Sequence, residues 1–156
     1  MRINQDKIYL STPVAKLGRV EAVRIAKAAL KWCERTFGVN RRKKLQLKCY
    51  VRKADAGDDT CGEYDCWDNE IYVYWNNCET VRELVQTCIH EWTHQNQPIL
   101  TKYYKYPGTY SRNPYERAAR YAEVKWAPIL WKEIKNNINK PKTNKICQVE
   151  QNVVNP

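Results

Sequence analysis

The chain reads as an α+β fold, with a small, mostly antiparallel sheet of three or four strands packed with three main helices. Three observations predict this. Long stretches of helical periodicity lie near both ends and after residue 80, short alternating stretches fill the middle, and turn signals separate them. At 156 residues the chain fits one domain, expected over 1–156, with a core of useful size.

Ser11 or Thr12 with Pro13 opens the first helical region, which ends near Phe37. Val20, Val23, Ala26, Leu30, Cys33 and Phe37 share a face, Gly18 interrupts early, and Gly38 supplies the stop. The basic run Arg41-Arg42-Lys43-Lys44 follows, read as a solvated loop with some capacity for phosphate. Leu45, Leu47, Cys49 and Val51 alternate with mostly polar residues, as in a half-buried strand. Gly62 to Trp67 and Ile71 to Trp75 read as two strands joined around Asp68-Asn69-Glu70.

The second helix carries the chemistry. Thr80-Val81-Arg82-Glu83 reads as a capping box, and Val81, Leu84, Val85, Cys88, Ile89 and Trp92 form an apolar stripe. The helix contains His90-Glu91-Trp92-Thr93-His94, which holds both histidines of the protein. Residues i and i+4 share a helix face, so the two imidazoles can hold one zinc ion. Glu91 lies about 100° further round, placed to act as a general base without ligating.

Zinc needs a third protein ligand and an open position, and no histidine remains. The candidates are carboxylates and cysteines. Asn113-Pro114 opens the third helix, with Glu116 in its first turn and small residues at Ala118, Ala119 and Ala122 that let helices approach closely. Glu116 is the expected ligand. Glu123 competes, and is expected to be exposed or paired with Arg120 if Glu116 takes the metal. Tyr115, Ala118, Ala122, Trp126 and Ile129 form the apolar stripe, and Pro128 is expected to kink or restart the helix near Ala127.

The pattern H-E-x-x-H-Q followed by N-P-Y-E-x-x-A-x-x-A resembles small gluzincin-type zinc metallopeptidases of the zincin superfamily, over about Cys61 to Trp131. The chain is also similar to small zincins encoded by bacteriophages. The resemblance implies that His90, His94 and Glu116 are metal ligands, that Glu91 is the general base, and that an edge strand lines the cleft, here Ile71 to Trp75. An extended substrate adds to such an edge. The family's transition-state residue has no fixed place in this sequence. The loop from Gln97 to Arg112 passes between the ligand-bearing helices, and there Tyr110 is the first choice for stabilising an oxyanion and Tyr106 the second.

The net charge of +10 favours acidic partners without choosing among them. The expected partner is a peptide or protein substrate, with nucleic acid the weaker alternative. Nothing reads as a signal peptide or a membrane span, so synthesis in the cytoplasm without export is expected, and association with a virion if the chain is phage-encoded. Seven cysteines leave at least one unpaired within a monomer, and Cys61 and Cys66 are spaced for a loop disulfide or part of a second metal site, although buried free thiols are preferred for most. From about residue 138 a loosely ordered tail is expected. Two functions follow: zinc-dependent peptide-bond hydrolysis, or a non-catalytic zincin fold serving as a structural, protein-binding or nucleic-acid-binding component of a virion. A peptidase plugged by its own tail is a third reading.

Overall fold

The computed structural model describes residues 7–98 and 109–140. Helix α1 (Arg19–Phe37) is followed by strands β1 (Lys48–Arg52), β2 (Gly62–Asp65) and β3 (Glu70–Tyr74), then helices α2 (Val81–Asn96) and α3 (Pro114–Ile138). The architecture is α+β, with three α-helices and a three-stranded sheet among the described residues. Among the described residues, no helix is long and apolar enough to cross a membrane.

The strand order is β1-β3-β2, with β1 parallel and β2 antiparallel to β3. The sheet is therefore mixed, where a mostly antiparallel one was expected. Alternation of apolar and polar residues is the same in either direction and carries no information on strand polarity. The β2–β3 hairpin falls where it was expected, but β3 takes the centre of the sheet. Its turn is built by Asp65, whose Oδ1 accepts from Trp67 N at 2.8 Å and Asp68 N at 3.2 Å. Asn69 closes the turn in the left-handed region at φ 55°. Its buried side chain donates to Leu45 O at 2.7 Å and accepts from the Tyr64 hydroxyl at 2.8 Å, which fastens the hairpin to the segment before β1.

Helix α2 is central, packing against α1, α3, β2 and β3. Its whole predicted stripe is buried, as are Thr87, Glu91, His94 and Gln95 on its other faces. Three of its N-terminal N–H groups find partners outside the helical ladder. Val81 and Arg82 donate to Thr12 O at 3.0 Å and Leu10 O at 2.8 Å, and Glu83 N donates to the Thr80 hydroxyl at 3.3 Å. The Glu83 carboxylate reaches back to Glu79 N at 2.5 Å, one residue before the cap itself. The segment before α1 is thus the strap that closes the start of the metal-motif helix.

On α1 the buried face is Ala22, Ile25, Ala26, Ala29, Leu30, Trp32 and Cys33, while Val20 is exposed. Gly18 marks the helix start rather than an interruption, and Gly38 ends it at φ 71°. On α3 the buried set is Glu116, Ala119, Ala127, Leu130, Trp131, Ile134 and Ile138. Ala118 and Ile129, assigned to the core stripe from sequence, are exposed. The true inner face begins with a carboxylate, so a search for apolar periodicity lands one position round the helix. The helix also continues through Pro128 without restarting. Trp32 and Glu133 join α1 to α3 by an indole N–H to carboxylate bond of 2.8 Å, beside the Trp32–Phe37–Trp126 aromatic cluster.

Candidate metal centre

Three side chains from α2 and the start of α3 converge. His90 and His94 stand one turn apart and face each other, Nε2 to Nε2, at 3.1 Å. Glu116 closes the triangle, with Oε2 at 3.2 Å from His90 Nε2 and Oε1 at 3.3 Å from His94 Nε2. Donors bonded at about 2.0–2.1 Å to a tetrahedral ion stand roughly 3.3 Å from one another, so the three atoms are spaced to share one ion. This is the one such group among the described residues.

The imidazoles are held so that Nε2 points inward. His90 Nδ1 lies 2.7 Å from Glu123 Oε2, and a carboxylate can only accept, so Nδ1 carries a proton. His94 Nδ1 lies 2.9 Å from Gln97 Oε1. The orientation of that amide is fixed at its other end, where Gln97 Nε2 donates to Tyr115 O at 2.8 Å. The inward nitrogens and the Glu116 carboxylate are then all acceptors, crowded into a buried space. Such a group requires a cation at its centre, either a proton on His90 or a metal ion. Without metal the proton prevails: burial pulls His90 down, but its bonds to Glu116 and Glu123 outweigh that and raise it to about 10. The residues therefore fit a metal ion, and His90, His94 and Glu116 could hold one.

Local sequence explains the placement of the third donor. Asn113 caps α3 by accepting from Tyr115 N at 2.9 Å, and Pro114 occupies the first helical turn. Glu116 is thereby fixed in the N-terminal turn, where the helix dipole favours its ionised form. Ala119, one turn on, is fully buried and leaves room for α2.

Glu91 sits beside the group without belonging to it. It is 7% exposed. Burial pushes its carboxyl up to about 7, although His90 and His94 pull the other way. A cleft of about 350 Å³ opens in front, lined by Gly62 of β2, by Thr87, His90 and Glu91 of α2, and by Tyr110 and Arg120. Gly62 is required here: a Cβ at this position would lie 2.5 Å from Thr87 Cγ2 and 3.1 Å from Glu91 Cγ. The strand bordering the cleft is thus β2, an edge of the sheet. The expected edge, Ile71 to Trp75, corresponds to central β3 and cannot accept another strand.

Tyr110 borders the cleft and is 59% exposed. Burial around its hydroxyl, together with a hydrogen bond to the Glu116 side chain, holds the phenol above its ordinary pKa, with Arg120 opposing. Arg120 stacks on the ring, its guanidinium carbon 4.8 Å from the centroid. Tyr106 lies outside the described residues, as do Cys147 and the tail beyond residue 140. Glu123 is neither exposed nor paired with Arg120, as sequence reasoning expected, but orients His90. Gln97 was missed altogether, since nothing in the sequence distinguishes it from a loop residue. The six described cysteines are free. Cys61 and Cys66 form no disulfide and belong to no metal group, and the Cys61 thiol instead meets Asn77 O at 3.5 Å.

The fold and the site together define an α+β protein with a buried His-His-Glu group able to bind a metal ion. No family model, curated protein or solved structure matches the chain.

Proposed function

We propose that this chain is a zinc-dependent metallopeptidase of the zincin type, hydrolysing peptide bonds. The observation that carries the reading is the convergence of His90, His94 and Glu116 on one point, beside a buried carboxylate, Glu91, that is not among the three. Two imidazoles and one carboxylate suit zinc, and three protein ligands leave a position open for chemistry. A purely structural site more often closes its fourth position with protein. When bound, zinc supplies Lewis acidity to the scissile carbonyl and makes a water molecule more acidic.

The remaining steps belong to the chain. Glu91, buried beside the three ligands, takes a proton from the attacking water and delivers it to the leaving amine. Glu123 and Gln97 hold the imidazoles in the required tautomer. Tyr110 is the candidate to donate to the developing oxyanion, from the rim of the cleft. An extended peptide adds to the edge of β2 that no described strand occupies, which places its backbone across the cleft from α2.

The test combines elemental analysis with a peptidase assay on a mixed peptide library, using the wild type and Glu91→Gln. The expected result is about one zinc per chain in both proteins, with cleavage by the wild type and at least a 100-fold lower rate in the variant. Zinc without any cleavage would favour the non-catalytic binding protein, and absence of metal would reject both.

A further inference from the structure

A cavity of about 720 Å³ lies between α1 and β1 and includes Trp92 in its wall. Its character differs from that of the metal cleft. Five cations border it: Lys27 and Lys31 from α1, and Arg41, Lys43 and Lys44 from the loop before β1. Its single carboxylate is Glu34. Among the described residues none of these five cations has a carboxylate within ion-pair distance, as holds for most cations of this basic chain; here, however, five of them border one cavity. Lys43 is half-buried, and burial lowers its pKa. Grouping five like charges around a single carboxylate is unfavourable, and an anion relieves it.

Beneath the cations the wall is apolar, formed by Leu30, Val39, Leu47, Val51 and Trp92. Leu45 stands at the rim, 51% exposed. The loop is held open over this wall by α2: Trp92 Nε1 donates to Gly38 O at 2.9 Å, and Gln95 Oε1 accepts from Asn40 N at 3.0 Å. A polar anion alone would leave the apolar wall unused. A nucleic-acid strand would look for an exposed aromatic face to stack on, and the one aromatic residue lining the cavity, Trp92, is 2% exposed. The volume falls within the usual range for small-molecule sites.

We infer that this cavity is a binding site for a small amphipathic anion, a carboxylate or phosphate head on an aliphatic body, with Lys27 and Lys31 facing the head and Leu30, Leu47 and Val51 the body. The site is separate from the metal cleft, so it stands whether or not the chain is a peptidase.

The test is calorimetric titration of the full-length chain with decanoate, decyl phosphate, inorganic phosphate and an oligothymidylate. Saturable one-to-one binding of decanoate or decyl phosphate is expected, with inorganic phosphate at least about tenfold weaker because it lacks the body. The stronger of the two amphiphiles identifies the head group. Lys27→Gln/Lys31→Gln changes two exposed residues and should weaken that amphiphile at least about fivefold, while Lys53→Gln/Lys132→Gln, also exposed, leaves it unchanged. Cys49 gives a second readout in the unmodified chain, since this exposed residue lines the cavity; burial and Glu34 push its thiol up to about 11, so the labelling is run at pH 9. Its alkylation by a maleimide, mapped by mass spectrometry, should slow in the presence of the amphiphile, and that of Cys66 should not. Failure of both amphiphiles to bind, undiminished binding by Lys27→Gln/Lys31→Gln, or unaltered Cys49 alkylation would overturn the assignment. Tighter binding of the oligothymidylate than of either amphiphile would also overturn it, in favour of a polyanion surface.

Discussion

His90 donates from Nδ1 to Glu123 Oε2 across 2.7 Å, and so turns its other nitrogen towards His94 and Glu116. Glu116 and Glu123 lie two turns apart on the same face of α3, and both serve the same histidine, one on each side of its ring. Two carboxylates therefore bracket one imidazole. The inner one is spaced to share a metal ion, and the outer one fixes the tautomer.

Glu116 and Glu123 should separate cleanly in a zinc titration against a competing chelator. Glu116→Ala removes a donor, and affinity is expected to fall by more than 1,000-fold. Glu123→Ala leaves all three donors but frees the His90 ring, and a loss of about 10- to 100-fold is expected, typical of an orienting partner. Equal losses from the two variants, or no loss from Glu123→Ala, would contradict these roles.

The sequence already carried the donors. His90 and His94 are legible because helical spacing alone puts them on one face, and Glu116 because Asn113-Pro114 marks where α3 starts. Glu123 was legible as a residue on the face of Glu116, but apolar periodicity hid the meaning of that face. The inner side of the first half of α3 is polar because it meets the histidines, and the stripe built from Ala118 and Ile129 missed it. Strand direction was not legible, since Leu47, Cys49 and Val51 alternate identically in a parallel or an antiparallel pair. Nor was Gln97, whose role depends on α3 bringing the Tyr115 carbonyl to it.

Gly62 sets how closely β2 approaches the metal helix. Gly62→Ala places a methyl 2.5 Å from Thr87 Cγ2 and 3.0 Å from Tyr72 O, so the strand or the helix must shift. Destabilisation of about 1–3 kcal/mol is expected, as for other over-packed sites. Thr87→Ser removes the nearer of those atoms, so the double variant should recover part of the loss. Urea unfolding of the four proteins in a double-mutant cycle reads the coupling directly. Strict additivity would show that the contact does not govern the approach.

Tyr110→Phe removes a hydroxyl that bonds Glu116 and stands at the cleft. Glu116 keeps its two histidine neighbours, so zinc affinity should change by less than about threefold. On the proposed chemistry kcat should fall by about 10- to 1,000-fold with KM little altered, because an oxyanion donor acts in the transition state. A drop in metal affinity with kcat unchanged would make Tyr110 a support for Glu116 and nothing more.

The stability of the metal-free chain and the stabilisation added by zinc should depend on pH in opposite directions. In the metal-free chain two groups at the candidate site, Glu91 and His90, bind protons more tightly folded than unfolded. Glu91 is raised from 4.5 to about 7 by burial. His90 is raised from 6.5 to about 10, where its bonds to Glu116 and Glu123 overcome the opposing effect of burial. A raised pKa means that the folded state holds the extra proton, so stability falls as pH rises between the unfolded and folded values. For Glu91 the loss runs from about pH 4.5 to 7 and is on the order of 3 kcal/mol. For His90 it runs from about pH 6.5 to 10, in the same direction. The chelator-treated protein should therefore show a urea midpoint that declines steadily from pH 5 to pH 9. Zinc competes with the His90 proton, so its binding should release a proton and strengthen as pH rises. The stabilisation that zinc adds is then expected to be small at pH 5 and largest near pH 9. Paired urea curves with and without zinc at pH 5, 7 and 9 measure both trends, and a zinc increment that shrinks with rising pH would be incompatible with metal binding at these three residues.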